Sequence, residues 1–104
     1  MELVTKKRLT IVAGRVNQDL AQEVAERLSL GLAPLPIAEF ANGEIHCKYG
    51  ESIRGADLFI FQSHCSTSEM SVNDALMEHL IMVDAAKRAS AKRITVVAPF
   101  YGYG

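Results

Sequence analysis

Three short stretches of the sequence carry side chains that could hold a ligand or do chemistry. The connector "GESIRGAD" (50–57) sets Ser52 and Arg54 between two glycines. A hydroxyl and a guanidinium so close together could both donate to an oxyanion, although the same residue types also make a plain surface turn. "AGRVNQD" (13–19) places Gly14 and Arg15 where a strand would hand over to a helix. Helix N-termini can hold anions, and a tight turn is the simpler reading there. "FANGE" (40–44) centres on Asn42-Gly43, a strong hairpin-turn pair. Its flanking Phe40 ring and Glu44 carboxylate are more than a turn requires.

Other chemistries find no support in the residue spacing. There is no GxGxxG after the first strand and no GxxxxGK[ST] anywhere, so the common nucleotide-phosphate loops are missing. His46, His64 and His79 have no HExxH or HxxxH spacing, which argues against a metal site made from them alone. His64, at a strand end, reads as a solvated loop residue. No serine sits in a nucleophile elbow. Ser71 and Asp74 instead match a helix capping box. Glu78 and Asp84 share one helix but fall on different faces, so they do not form an acid–base pair. Cys47 and Cys65 lack metal-type spacing and read as two buried thiols.

The elements that must position these residues follow from periodicity. "RLTIVAG" (8–14), "ADLFIFQS" (56–63) and "RITVVAPF" (93–100) are apolar, partly β-branched runs of the kind buried in parallel sheets. The stretch 17–31 has Leu20, Val24 and Leu28 at helical spacing, with Asn17 placed to cap its start and Gly31 just past its end. A longer helix spans 73–90, with Leu76, Leu80 and Val83 on one face and Met77, Ile81 and Met82 widening the apolar stripe. That width predicts a helix covered on two sides or meeting another subunit. "APLPIAEF" (33–40) is weakened by Pro34 and Pro36, and "EIHCKYG" (44–50) alternates, so the two predict a hairpin through Asn42-Gly43. The predicted order is β-α-β-β-β-α-β: an α/β fold with a mostly parallel sheet flanked by helices and a marginal β-hairpin.

The whole chain sets bounds on function. Its 104 residues predict one domain, residues 1–104. Eleven basic against twelve acidic residues give a net charge of −1, which offers a nucleic-acid backbone no attraction. The basic cluster Lys6-Lys7-Arg8 is short and reads as the solvated beginning of the first strand. No apolar run is long enough to cross a bilayer, and the N-terminus lacks a secretory apolar segment, which together predict a cytoplasmic protein.

Read in order, "FANGE", "ESIRGADLFIFQS" and "NDALMEHLIMVDAAKRASAKRITVVAPFYGY" resemble the N-terminal domain of ribose-phosphate pyrophosphokinase, with the likeness running from Ile11 to Tyr103. The resemblance implies a phosphoribosyltransferase-like domain. It also implies a reaction: transfer of diphosphate from ATP to the C1 hydroxyl of ribose 5-phosphate, releasing AMP and requiring Mg²⁺. Phe40, Asn42 and Glu44 match positions that hold the adenine of ATP bound chiefly to a neighbouring subunit. Ser52, Arg54 and Ser90 match positions where many members bind regulatory phosphate or ADP. The broad apolar helix suits a family that forms homohexamers. Two departures stand out: the loop from Ser63 to Asn73 looks longer than usual, and the catalytic and ribose-phosphate segments that follow "FYGY" in the family are not among these 104 residues. The resemblance therefore assigns no catalytic residue and no magnesium ligand here, and the chain alone is expected to lack turnover. The alternative is a non-catalytic regulatory or associated subunit of the same family. A generic α/β ligand-binding module is a third reading.

Overall fold

Along the chain the elements run β1 (Arg8–Ala13), α1 (Gln18–Arg27), β2 (Ile37–Glu39), β3 (Ile45–Cys47), β4 (Ala56–Phe61), α2 (Val72–Arg88) and β5 (Arg93–Val97). The computed structural model describes residues 8–104, so Lys6 and Lys7 of the basic cluster lie outside the described residues. The three continuous apolar runs pair in parallel in the order β1-β4-β5, with Ile11 beside Phe59 and Ile60 beside Val96. β4 is the central strand. Ala56, Leu58 and Ile60 on one of its faces are fully buried under Met82 and Ala86 of α2. Burial of a side chain such as Leu58 or Ile60 contributes roughly 1.5–3 kcal/mol. On the other face Phe59 and Phe61, with Leu9, Ile11 and Val97, border an apolar hollow of about 310 Å³ edged by Val24 and Leu28 of α1. A helix thus flanks each face of the parallel sheet, as its lack of an apolar–polar alternation requires.

β2 and β3 form a separate antiparallel ribbon, Ile37 opposite Cys47 and Glu39 opposite Ile45. Pro34 and Pro36 fall outside the strand itself. Their carbonyls still accept from the amides of Gly50 (3.0 Å) and Lys48 (3.3 Å), so the ribbon extends without the donors that proline lacks. Cys47, Ile37 and Tyr49 pack into the same core as Leu58 and Met82. The Tyr49 hydroxyl donates to the carbonyl of Met82 at 3.0 Å, tying the ribbon to α2. Burial pushes the Tyr49 hydroxyl and the Cys47 thiol up from their ordinary pKa values, and neighbouring Glu78 and Asp84 add to the effect on Cys47. Both cysteines are free thiols, Cys47 buried and Cys65 half-buried.

The helix faces differ from the sequence reading by one row. In α1 the buried residues are Ala21 and Ala25, whereas Leu20 and Val24 are half-buried and Leu28 is 52% exposed. The leucine row lies about 100° round the helix from the alanine row. Small alanines let the helix axis come close to β1, and the longer side chains then project past the margin of the contact. In α2 the buried residues are Ala75, Glu78, His79, Met82 and Ala86, while Leu80 points outward and Leu76 and Val83 are half-buried. Met82 and not Leu80 is therefore the apolar anchor of this helix.

The caps differ at α1 as well. Asn17 occupies the cap position in a left-handed conformation (φ 56°), and its side chain makes no capping bond. Its amide instead reaches the Ser63 hydroxyl at 3.4 Å. The helix closes at Ser29 (φ 59°) and not at Gly31, with Leu30 N donating to Ala25 O and Ser29 N to Glu26 O. That is a Schellman closure built on serine. α2 closes the same way on Ser90 (φ 65°), with Ala91 N donating to Ala86 O. Its start is the expected capping box: Ser71 Oγ accepts from Asp74 N at 3.1 Å and Asp74 Oδ2 from Ser71 N at 3.0 Å. These bonds hold the Asp74 carboxyl below its ordinary pKa.

Candidate functional site

The hairpin brings Phe40, Asn42 and Glu44 together at one exposed tip. Gly43 takes φ +92°, which an L side chain rarely adopts, and its amide donates to Phe40 O at 2.8 Å. Phe40 N in turn donates to Glu44 O at 2.8 Å, closing the turn. Asn42 bonds Glu44 twice, its Nδ2 donating to the carboxylate at 2.6 Å and its Oδ1 accepting from Glu44 N at 3.1 Å. The Phe40 ring is 54% exposed yet braced from behind by the His46 ring, stacked at 5.8 Å between centroids. A flat apolar face beside an ordered amide and carboxylate can stack on a planar base and read its hydrogen-bonding edge.

Ser52 and Arg54 line a second concavity, about 380 Å³, with Lys48, Tyr49, Glu51 and Arg88. Arg88 is paired with Asp84 at 3.0 Å, which leaves Lys48 and Arg54 against Glu51 and gives the lining a modest positive balance that suits an anion. Ser90 is not among the lining residues but adjoins them: its carbonyl accepts from Gly55 N at 3.0 Å, clasping the connector to the end of α2.

The Gly14-Arg15 junction is a tight turn already filled by the protein's own carboxylate. Glu78, fully buried on α2, accepts from Arg15 N (2.8 Å), Arg15 Nε (2.7 Å) and Gln62 Nε2 (2.8 Å), and pairs with Arg15 Nη2 at 2.7 Å. Gln62 Oε1 takes the next amide, Val16 N, at 3.1 Å. A Cβ on Gly14 would stand 2.3 Å from Gln62 Oε1, so only glycine leaves room for this arrangement. The Arg15 and Val16 amides at this junction are thus spent internally. Arg15 Nη1 also lies 3.9 Å from Glu39 Oε2 at the base of the hairpin tip.

His64 is not a solvated loop residue: it is 1% exposed and bonded at both ring nitrogens. Its Nε2 meets His79 Nδ1 at 2.9 Å, its Nδ1 accepts from Gly102 N at 2.9 Å, and His79 Nε2 reaches Ile60 O at 2.9 Å. His46, by contrast, is exposed behind Phe40. Among the described residues no three His, Cys, Asp or Glu gather into a possible cation site. The sequence reading missed both the Glu78 cluster and the histidine pair. The available signal was a glutamate and a histidine inside the Ala75–Met82–Ala86 stripe, where a helix packed on a sheet would carry apolar residues.

With this geometry in place, comparison with known proteins is decisive. A model of the N-terminal domain of ribose phosphate pyrophosphokinase matches residues 9–104. The chain belongs to this family. Ribose-phosphate pyrophosphokinase from Streptomyces avermitilis is 50% identical over 98 residues, which is 94% of this chain and 29% of the relative. The protein of the same name from Bifidobacterium longum is 48% identical over 97 residues, covering 93% of this chain and 27% of the relative. The crystal structure of phosphoribosylpyrophosphate synthetase from Mycobacterium smegmatis superposes with a TM-score of 0.85 at 47% identity, covering 93% of this chain and 31% of that one. The chain thus spans under a third of the length of the pyrophosphokinases it matches. No helix among the described residues of this pyrophosphokinase domain is long and apolar enough to cross a membrane.

Proposed function

We propose that residues 1–104 act as the N-terminal domain of a ribose-phosphate diphosphokinase, an enzyme that moves diphosphate from ATP to the C1 hydroxyl of ribose 5-phosphate. In this reading the hairpin tip forms one wall of an adenine site completed by a neighbouring subunit: Phe40 stacks on the base while Asn42 and Glu44 contact its edge. The observation that carries it is the exposed Phe40 ring, stacked on His46 and flanked by a hydrogen-bonded Asn42–Glu44 pair. Preorganisation of this kind lowers the entropic cost of binding. Ser52 and Arg54, with Ser90 adjoining them, form the second site, for phosphate or ADP, with Arg54 supplying charge.

The protein works as a homo-oligomer in the cytoplasm, an environment that suits its free thiols. The exposed Met77 and Leu80 of α2 supply apolar surface for subunit contact. Magnesium belongs to the complete enzyme in this reading, where it neutralises charge on the nucleotide's phosphates during transfer. No residue described here is assigned a catalytic role, and a polypeptide of residues 1–104 alone releases no AMP.

The test is a chimera in which this chain replaces the matching N-terminal segment of the Streptomyces avermitilis relative. We expect the chimera to form AMP from ATP and ribose 5-phosphate, and residues 1–104 alone to form none. A folded chimera that binds ribose 5-phosphate but releases no AMP would overturn the reading.

A further inference from the structure

The histidine pair does more than fill the core. The three bonds fix every proton in the chain of groups. Gly102 N–H can only donate, so His64 Nδ1 must be bare and its proton sits on Nε2. That proton points at His79 Nδ1, which must therefore accept, leaving His79 to donate from Nε2 to Ile60 O. The inner end of this relay is a carbonyl that can only accept. One added proton therefore cannot be absorbed inside. If it goes to His64, Nδ1–H faces Gly102 N–H. If it goes to His79, its Nδ1–H meets the proton on His64 Nε2, and moving that proton to Nδ1 again sets it against Gly102. The conflict falls on the bond to Gly102 whenever His64 Nδ1 carries a proton.

That bond lies where the last strand delivers the chain to the carboxyl edge of the sheet, the edge at which ligands bind in open α/β folds. The segment is otherwise held by His64 N donating to Phe100 O at 2.8 Å, by the Tyr101 ring tilted against His64 at 5.6 Å, and by Tyr103 OH on Asn73 Oδ1. A Cβ on Gly102 would stand 2.9 Å from His64 Cβ, so the backbone packs directly against the base of this side chain. Among the described residues, Glu78 of α2 acts on His79, its carboxylate already matched by Arg15; the Ile60 carbonyl of β4 meets His79; and Tyr101 and the Gly102 amide of the terminal segment meet His64. Cys65 packs away from the pair, against Val16, Met70 and Ala75. Burial holds both imidazoles below the ordinary histidine pKa, and so neutral near pH 7.

We propose that His64 and His79 form a proton-sensitive latch that positions the Phe100–Tyr103 segment, closed when both rings are neutral and opened at Gly102 by a single added proton. The proposal concerns the chain itself and stands apart from the adenine site. Its test is NMR of the ¹⁵N-labelled chain across a titration from neutral to acid. At neutral pH the imidazole nitrogens should report Nε2–H on both rings. As they titrate, the protection factor of the Gly102 amide should fall roughly tenfold or more, the scale of one lost hydrogen bond made repulsive. The amides of Leu58 and Ile60 in β4 should keep theirs. In His64→Asn the amide oxygen replaces Nδ1 as acceptor without titrating, so Gly102 should stay protected throughout. Unchanged Gly102 protection through the imidazole titration would overturn the latch. So would loss in step with the β4 amides, or the parent's acid loss persisting in His64→Asn.

Discussion

The sharpest structural test lies in the buried carboxylate of Glu78. It has four close donors, three of them on Arg15 and one on Gln62. Arg15→Met keeps the backbone amide (2.8 Å) and the Gln62 contact (2.8 Å) but removes both guanidinium contacts, each at 2.7 Å. A fully buried charge is left half-satisfied. Removing one partner of a buried ion pair costs about 3–5 kcal/mol. Arg15 is itself one-third exposed, 32% at the side chain, so water can approach from its side and the low end applies, about 3 kcal/mol. For a domain near this size that is a fall in Tm of roughly 12–24 °C. Urea denaturation of parent, Arg15→Met, Glu78→Gln and the double variant is the assay. The double variant should lose less than the sum of the single losses, because it leaves no unpaired charge. A loss under about 1 kcal/mol for Arg15→Met, the value of a solvated surface pair, together with additive single effects, would refute the buried-charge reasoning.

Because burial depresses the folded-state pKa of His64 and His79 below 6.5, the unfolded chain binds protons first on acidification. Their contribution to stability is therefore present above pH 6.5 and lost as pH falls from there through the folded pKa values. The slope reaches about 1.4 kcal/mol per pH unit per residue, and denaturant midpoints measured against pH should become less steep in His64→Asn. Ser29→Gly should raise stability by about 1 kcal/mol by relieving the left-handed serine at the Schellman closure. A thermal melt of that variant below the parent's would contradict the reading of φ 59° as strained.

The order of elements along the chain, the two helices and the hairpin turn were legible because each rests on local chemistry: continuous β-branched runs, Ser71 with Asp74, and Asn42 with Gly43. Which helical row faces the sheet was not. Leu20, Val24 and Leu28 make the more hydrophobic row of α1, yet the choice depends on how closely the axis can approach β1, and alanine decides that. Polar burial was hidden for a related reason. Glu78 is an ordinary helix residue until Arg15 and Gln62, 63 and 16 positions away in sequence, converge on it. His64 reads as a loop residue until His79 and Gly102 close around both its nitrogens. Periodicity reports a face, whereas satisfaction of a buried polar group is a long-range property of the fold. The hairpin tip falls between the two. Its turn was evident from two residues, but the bracing of Phe40 by His46 depends on the antiparallel ribbon that follows.

The central claim is that Phe40 is a wall for the adenine of ATP, and its most direct measurement is the ATP KM of Phe40→Ala in the chimeric enzyme. Loss of base–aromatic stacking, about 1–3 kcal/mol, should raise the apparent KM for ATP roughly 5- to 150-fold. The ribose 5-phosphate KM and kcat should change little, since the proposal gives the ring a part in binding and none in the transfer step. An unchanged ATP KM in a folded, active Phe40→Ala chimera would contradict the role given to the hairpin tip.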